Sequence, residues 1–120
     1  MKTFSDLKVW QKAHQFTLSI YRLTQGYPYD EKFGLVSQLR RSAASVATNL
    51  AEGNKRRSAK DFARFVNLSE ASLEETKYSL LLSRDLGHLT QQEYNELMET
   101  SEEIGKMLNG LHKNLAAYSL

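Results

Sequence analysis

The stretch RRSAASVATNLAEG, residues 40–53, runs straight into NKRR at residues 54–57. Two arginines open it, small side chains fill it, a glycine closes it, and three more basic residues follow. At about 100° per residue, Leu39, Val46 and Leu50 fall with Leu35 within a stripe about 60° wide, the pattern of a helix with one face in a core. Ala43, Ala44, Ala47 and Ala51 lie beside that stripe, so neighbouring helices can approach closely. On its other side Gln38, Arg41, Ser42, Ser45, Asn49 and Glu52 form a polar ladder. Ser42 and Asn49 stand close enough to the stripe to be partly buried, and buried polar groups need partners. The Asn49 amide is therefore expected to bridge to another helix or to a helix backbone. Gly53 is expected as a left-handed C′ residue that ends the helix.

The surrounding sequence repeats this helical pattern. β-Branched alternation is absent, and short glycine-marked breaks separate four segments, at about residues 6–24, 32–52, 58–86 and 91–117. Such spacing predicts an all-α, antiparallel up-down-up-down four-helix bundle formed by a single domain over residues 1–120. Ser5 or Asp6 is expected to cap the first helix and Asp30 the second. Ser58 opens the third with Asp61 in capping-box spacing, and Thr90 with Glu93 does the same for the fourth.

The first helix carries two apolar seams. Val9, Ala13, Phe16, Ile20 and Leu23 form one, and Leu7, Trp10, His14, Thr17 and Tyr21 the other. One stripe is enough to join a bundle, so the second asks for a further partner. The third helix has Phe62, Val66, Ser69, Leu73, Thr76 and Leu80 on its core stripe, with Leu68, Tyr78 and Leu82 off it. The fourth is expected to turn Tyr94, Leu97, Met98, Ser101, Ile104 and Leu108 inward, then Leu111 and Leu115. Gly105 within it costs about 1 kcal/mol against alanine, for which a close helix crossing is the expected compensation.

Composition narrows the function. The 120 residues are 41% hydrophobic and 25% charged, as in an ordinary globular domain. With no cysteine, a disulfide framework, a thiolate metal site and a cysteine nucleophile are all excluded. The N-terminal residues lack the apolar run of a secretory signal, and no stretch approaches the length of a membrane span. A cytoplasmic protein without a membrane partner is expected. Net charge is only +2, yet residues 40–64 hold seven Lys/Arg against two acids, and residues 65–105 hold two Lys/Arg against nine acids. A basic block beside an acidic one suits an intramolecular match, a contact between copies, or a polyanion site.

No enzyme is legible. A di-iron bundle needs two Glu-x-x-His pairs, whereas the nearest match is a lone Asp85-x-x-His88. It reads better as a histidine favourably placed at a helix C-terminus. His14 and His112 stand isolated in sequence and read as half-buried rings with one hydrogen bond each. Neither a phosphate loop nor a nucleophile elbow occurs. The expectation is a non-enzymatic protein with no catalytic residues, no metal and no cofactor.

The candidate nucleic-acid site is Lys55, Arg56, Arg57, Lys60 and Arg64 at the junction of the second and third helices, with Arg40 added. Guanidinium groups grip phosphates at two points, and a helix N-terminus adds positive potential. The same residues read equally as a solvated loop with a capping serine. No aromatic residue is expected to interleave with this cluster, which weakens a mode in which single strands stack. Arg41, Ser45, Asn49 and Glu52 read as a structural polar ladder, with Arg41 pairing acids such as Glu70, Glu74 or Glu75 within or between subunits.

Three segments carry a family resemblance: FSDLKVWQKA, YPYDEKFGLVSQLRRSAASVATNLAEG and SAKDFARFVNLSEASLEETKYSL. They resemble the four-helix-bundle family named for proteins encoded within intervening sequences of 23S ribosomal RNA genes. The likeness spans nearly the whole chain, residues 4–115. It departs where the family tends to have Gly-Ser-Leu-x-Glu and this chain has Ala71-Ser72-Leu73-Glu74-Glu75. The resemblance implies a ring-shaped homopentamer. It also implies likeness to the accessory variability protein of diversity-generating retroelements, where a basic ring surface is implicated in binding nucleic acid and a reverse transcriptase. The family's biochemical role is not established. The expectation is a self-assembling bundle that presents a basic surface to RNA or DNA. The alternative is a protein-interaction or assembly scaffold with an unknown partner protein and no nucleic-acid role.

Overall fold

The computed structural model describes residues 3–118. Among them are four α-helices and no strand: α1 (Lys8–Thr24), α2 (Leu35–Asn54), α3 (Ala59–Asp85) and α4 (Gln91–Tyr118), with 3-10 turns at Phe4–Asp6 and Tyr29–Glu31. Each helix packs on the next, and α4 returns to α1, closing a bundle of 47 × 22 × 19 Å. Hydrogen bonds along the α2–α3 seam link Ser42 to Thr76, Ser45 to Ser72 and the Val46 carbonyl to Ser69. Numbers rise on one helix as they fall on the other, so this pair is antiparallel. The all-α four-helix expectation is borne out.

The core is the set of stripes read from periodicity. Leu35, Leu39, Val46 and Leu50 of α2 are buried, as are Phe62, Val66, Leu73 and Leu80 of α3. Val9, Ala13, Phe16 and Ile20 close it from α1, Ser101, Ile104 and Leu108 from α4. Tyr94, Leu97, Met98, Leu111 and Leu115 pack against its edge. Off the α3 stripe, Leu68 and Tyr78 are exposed, whereas Leu82 leans on the core.

Several local expectations need correction. Gly53 does not end α2 in a left-handed conformation. It lies within the helix, buried, and the one positive φ among the described residues belongs to Gly87 at 80°. What requires glycine at 53 is close approach: a Cβ there would stand 2.7 Å from Phe65 Cβ and 2.8 Å from Phe62 Cδ1. Gly87 is the residue that ends a helix in the left-handed region. His88 N–H donates to the Ser83 carbonyl at 2.8 Å and Gly87 N–H to that of Arg84 at 3.0 Å, the Schellman pattern. At Gly105 no close crossing exists, because an added Cβ would sit at an ordinary 3.6 Å from Leu73 Cδ2.

The helix starts also differ. α2 begins at Leu35 and not near residue 32, with Gly34 in the N-cap position and Asp30 inside the preceding 3-10 turn. Glu31 holds that connector down through a 2.9 Å contact from Oε2 to His88 Nε2, so the chain straightens into α2 only after it. Neither Ser5 nor Asp6 caps α1, whose N-cap position is Leu7. Asp6 Oδ2 instead accepts from the Thr3 N–H at 3.2 Å, within the first 3-10 turn. Thr90 and Glu93 form the full reciprocal box at α4, at 3.0 and 2.9 Å. At α3 the Ser58 hydroxyl accepts from the Asp61 N–H at 3.1 Å, while the Asp61 carboxylate faces Arg64 at 3.3 Å.

Candidate nucleic-acid interface

The α2–α3 junction is tight because Gly53 lets Phe62 and Phe65 press against the α2 backbone. Lys55 N–H donates to the Glu52 carbonyl and Arg56 N–H to that of Gly53, so the chain reverses within a few residues before Ser58 opens α3. Lys55, Arg56, Arg57 and Lys60 are thereby brought to one end of the bundle, all exposed. Among the described residues none of these four is in an ion pair. Arg64 pairs with Asp61, but both are solvated, and such pairs contribute little.

Phe65 supports this cluster. The Arg56 guanidinium carbon stands 4.4 Å from the ring centroid and that of Arg64 stands 4.6 Å away, both within cation–π range. An aromatic therefore does interleave with the cations, contrary to the reading from sequence. Since Phe65 is buried, it positions guanidinium groups and offers no open face to a base.

Arg40 does not join the cluster. It sits fifteen residues before Lys55, which directly follows the last residue of α2, so the two are separated by about 22 Å along the axis at about 1.5 Å per residue. Its Nε donates to Thr24 Oγ1 at 2.9 Å, an Nη donates to the Tyr21 carbonyl at 3.3 Å, and its guanidinium lies 4.7 Å from the Tyr21 centroid. Arg40 thus ties α2 to the last turn of α1. Beside it, Lys32 lies between two very exposed rings, Tyr29 and Phe33.

The polar ladder divides into a buried part and a solvated part. Ser45 Oγ accepts from Ser72 at 2.9 Å and from the Asn49 amide at 3.0 Å, and that amide also reaches the Ser45 carbonyl at 2.9 Å. Asn49 therefore bonds its own helix and reaches α3 only through Ser45. Arg41 and Glu52 are exposed. Glu74 pairs with Lys77 at 3.0 Å, and Glu70 lies 3.4 Å from His112 Nδ1 without hydrogen-bond geometry. Among the described residues Arg41 forms no ion pair with Glu70, Glu74 or Glu75. No cluster of three or more His, Asp or Glu suited to a metal occurs among the described residues, and none of their helices is long and apolar enough to cross a membrane.

One feature near the cluster escaped the sequence reading. Phe4, Trp10 and His14 form an aromatic row on the α1 side of the bundle. Phe4 meets Trp10 edge-on at 4.8 Å, and Trp10 stacks on His14 at 5.0 Å with 8° between planes. The row borders an open groove along α1 and α2 that ends at Lys55 and Arg56. The four-residue step from Trp10 to His14 was visible in the second seam of α1, but its nearness to residues 55 and 56 was not.

Among curated proteins none matches this chain. A crystal structure from Bacteroides thetaiotaomicron, described as a protein with unknown function from the S23 ribosomal protein family, is similar with a TM-score of 0.81. The two share 28% identity, and the match covers 88% of this chain and 95% of that one. The family model for the 23S rRNA-intervening sequence protein matches residues 5–110, nearly the full span of the bundle just described. The chain belongs to the 23S rRNA-intervening sequence protein family.

Proposed function

We propose that this protein is a non-enzymatic, cytoplasmic bundle that assembles into a cyclic homo-oligomer, a pentamer by family resemblance, and binds RNA or DNA through Lys55, Arg56, Arg57, Lys60 and Arg64. The observation that carries the reading is the gathering of these cations at one end, with four of the five free of ion pairs among the described residues. Phosphate contacts of this kind are tolerant of sequence and give affinity that falls steeply with salt. In a cyclic assembly each copy presents the same cluster on the same rim, so weak contacts add through multivalency.

Assembly has separate support. Leu68 is 41% exposed and Tyr78 62% on α3, about 15 Å apart along the helix axis, and a contact between copies along α3 would cover both. Those two residues also favour the second reading, a scaffold that only assembles. Replacing Lys55, Arg56 and Arg57 together by glutamine separates the two. The nucleic-acid reading expects weaker binding and a shallower dependence of log K on log salt, by about 0.9 for each duplex phosphate no longer neutralised, with the oligomer unchanged in sedimentation. An assembled protein that binds neither RNA nor DNA at low salt leaves the scaffold. A protein that sediments only as monomer at micromolar concentration removes the ring.

A further inference from the structure

We infer that the groove between α1 and α2 receives unpaired nucleobases of a strand whose phosphates lie on Lys55 and Arg56. This rests on the basic-end reading and specifies its substrate as single-stranded nucleic acid.

Two open cavities, of about 550 and 350 Å³, share Phe4, Ala51 and Glu52 and so form one continuous groove. Its floor is made of small α2 side chains, Ala44, Ala47, Thr48 and Ala51, which leave room for a flat ring. Its α1 wall is the row Phe4, Trp10 and His14. Phe4, 38% exposed where the two cavities join, is the ring most open to a stacking partner. Aromatic rings beside a cationic track are what single strands use, because every base has a π-face and the backbone needs only positive charge.

The polar groups at the mouth agree with this occupant. Lys55 and Arg56 suit phosphates, and Asn54 can both donate and accept. Glu52 lies at the point common to both cavities, and its carboxylate can only accept. It repels phosphate and attracts the amino groups on base edges, so it turns the strand with its bases inward and its backbone toward the two cations. A duplex keeps its bases paired and stacked and can meet only the outer cations. A purely apolar helix would satisfy the floor of the groove but leave the charged mouth unmatched.

Trp10 is the single tryptophan of the chain and borders the groove, so its fluorescence reports occupancy directly. The experiment titrates the full chain with a twelve-residue oligocytidylate and with a mixed-sequence duplex of equal length. Expected are quenching or a spectral shift with the single strand, none with the duplex, and tighter binding of the single strand. Thr48→Leu and Ala51→Leu, which fill the floor, should each weaken single-strand binding about tenfold and leave duplex binding as it was. Phe4→Ala, ahead of α1 and partly exposed, should do the same and covers the case in which a filled floor disturbs packing. Equal binding of both nucleic acids with silent Trp10 fluorescence overturns the groove and leaves the basic end standing. No binding of either nucleic acid overturns both. Unchanged single-strand binding by the groove variants, with a smaller assembly in sedimentation, overturns the proposal in favour of a second copy seated in the groove.

Discussion

Thr76 Oγ1 donates to Ser42 Oγ across 2.7 Å in the middle of the α2–α3 seam, where Thr76 is fully buried and Ser42 nearly so. Thr76 also lies 2.9 Å from the Ser72 carbonyl, and Ser42 Oγ stands 3.4 Å from that of Leu39. One turn further along α2 and two turns back along α3, Ser69 donates to the Val46 carbonyl at 2.8 Å. Short hydroxyl side chains let the two helices lie close while the O–H groups of Ser42, Ser69 and Thr76 each find an acceptor, which larger polar groups could not do at this spacing.

Removing one hydroxyl of the pair should therefore cost more than removing both. Thr76→Val is expected to destabilise by about 1–3 kcal/mol, because it leaves the Ser42 hydroxyl buried with only its longer contact. Adding Ser42→Ala should recover part of that loss, giving a coupling of about 0.5 kcal/mol or more in a double-mutant cycle. Urea denaturation measures it. Strictly additive losses would mean the two hydroxyls act independently.

Two glycine-to-alanine changes should have opposite signs. Gly53→Ala drives a methyl into Phe62 and Phe65, and overpacking of this kind costs about 1–3 kcal/mol. Gly105→Ala adds a methyl at ordinary van der Waals distance from Leu73 and removes a flexible residue from a helix, for a gain of up to about 1 kcal/mol. Thermal melts of the two variants decide it, and a destabilised Gly105→Ala would contradict the spacing described.

Arg40→Gln should lower stability and leave nucleic-acid binding alone. The variant gives up the hydrogen bonds to Thr24 and to the Tyr21 carbonyl and the cation–π pairing with the Tyr21 ring, together worth about 1–2 kcal/mol. Its salt slope for nucleic acid should equal that of the parent. A drop in slope matching that of Arg56→Gln would return Arg40 to the binding surface.

Alkaline pH should loosen the α1–α2 connector. Burial pushes the Tyr27 hydroxyl above its usual value of 10.0, helped by the charges of Glu93 and Glu31. Ser83 gives its own proton to the Ser79 carbonyl at 2.8 Å, and the Tyr27 hydroxyl has no hydrogen-bond partner among the described residues. A folded-state value above the unfolded one favours folding fully below the unfolded value and loses that advantage as pH rises through the folded one. Stability should thus fall above about pH 10, and Tyr27→Phe should flatten that fall. An identical alkaline decline in both proteins would assign it to other groups.

The helices and their buried stripes were legible because burial imposes a 3.6-residue period on the chain, and Leu39, Val46, Val66 and Leu80 all keep it. The box at Thr90 and Glu93 was legible for a similar reason: its partners lie three residues apart and meet in any helix that starts there. Gly53 was misread because a glycine after an apolar run looks like a helix end, and only the approach of Phe62 and Phe65 from α3 reveals its role.

The basic end divides in the same way. Lys55, Arg56 and Arg57 are neighbours in sequence, so their clustering needed no fold to be seen. Arg40 was grouped with them by residue type, and the length of α2 separates it from them. Residues adjacent in the chain, or one turn apart on a helix, declare their contacts through local geometry. The pairing of Arg40 with Tyr21, Phe65 beneath Arg56, and the groove that runs from the row of Phe4, Trp10 and His14 to Lys55 arise where separate segments meet, and helix packing alone sets those distances.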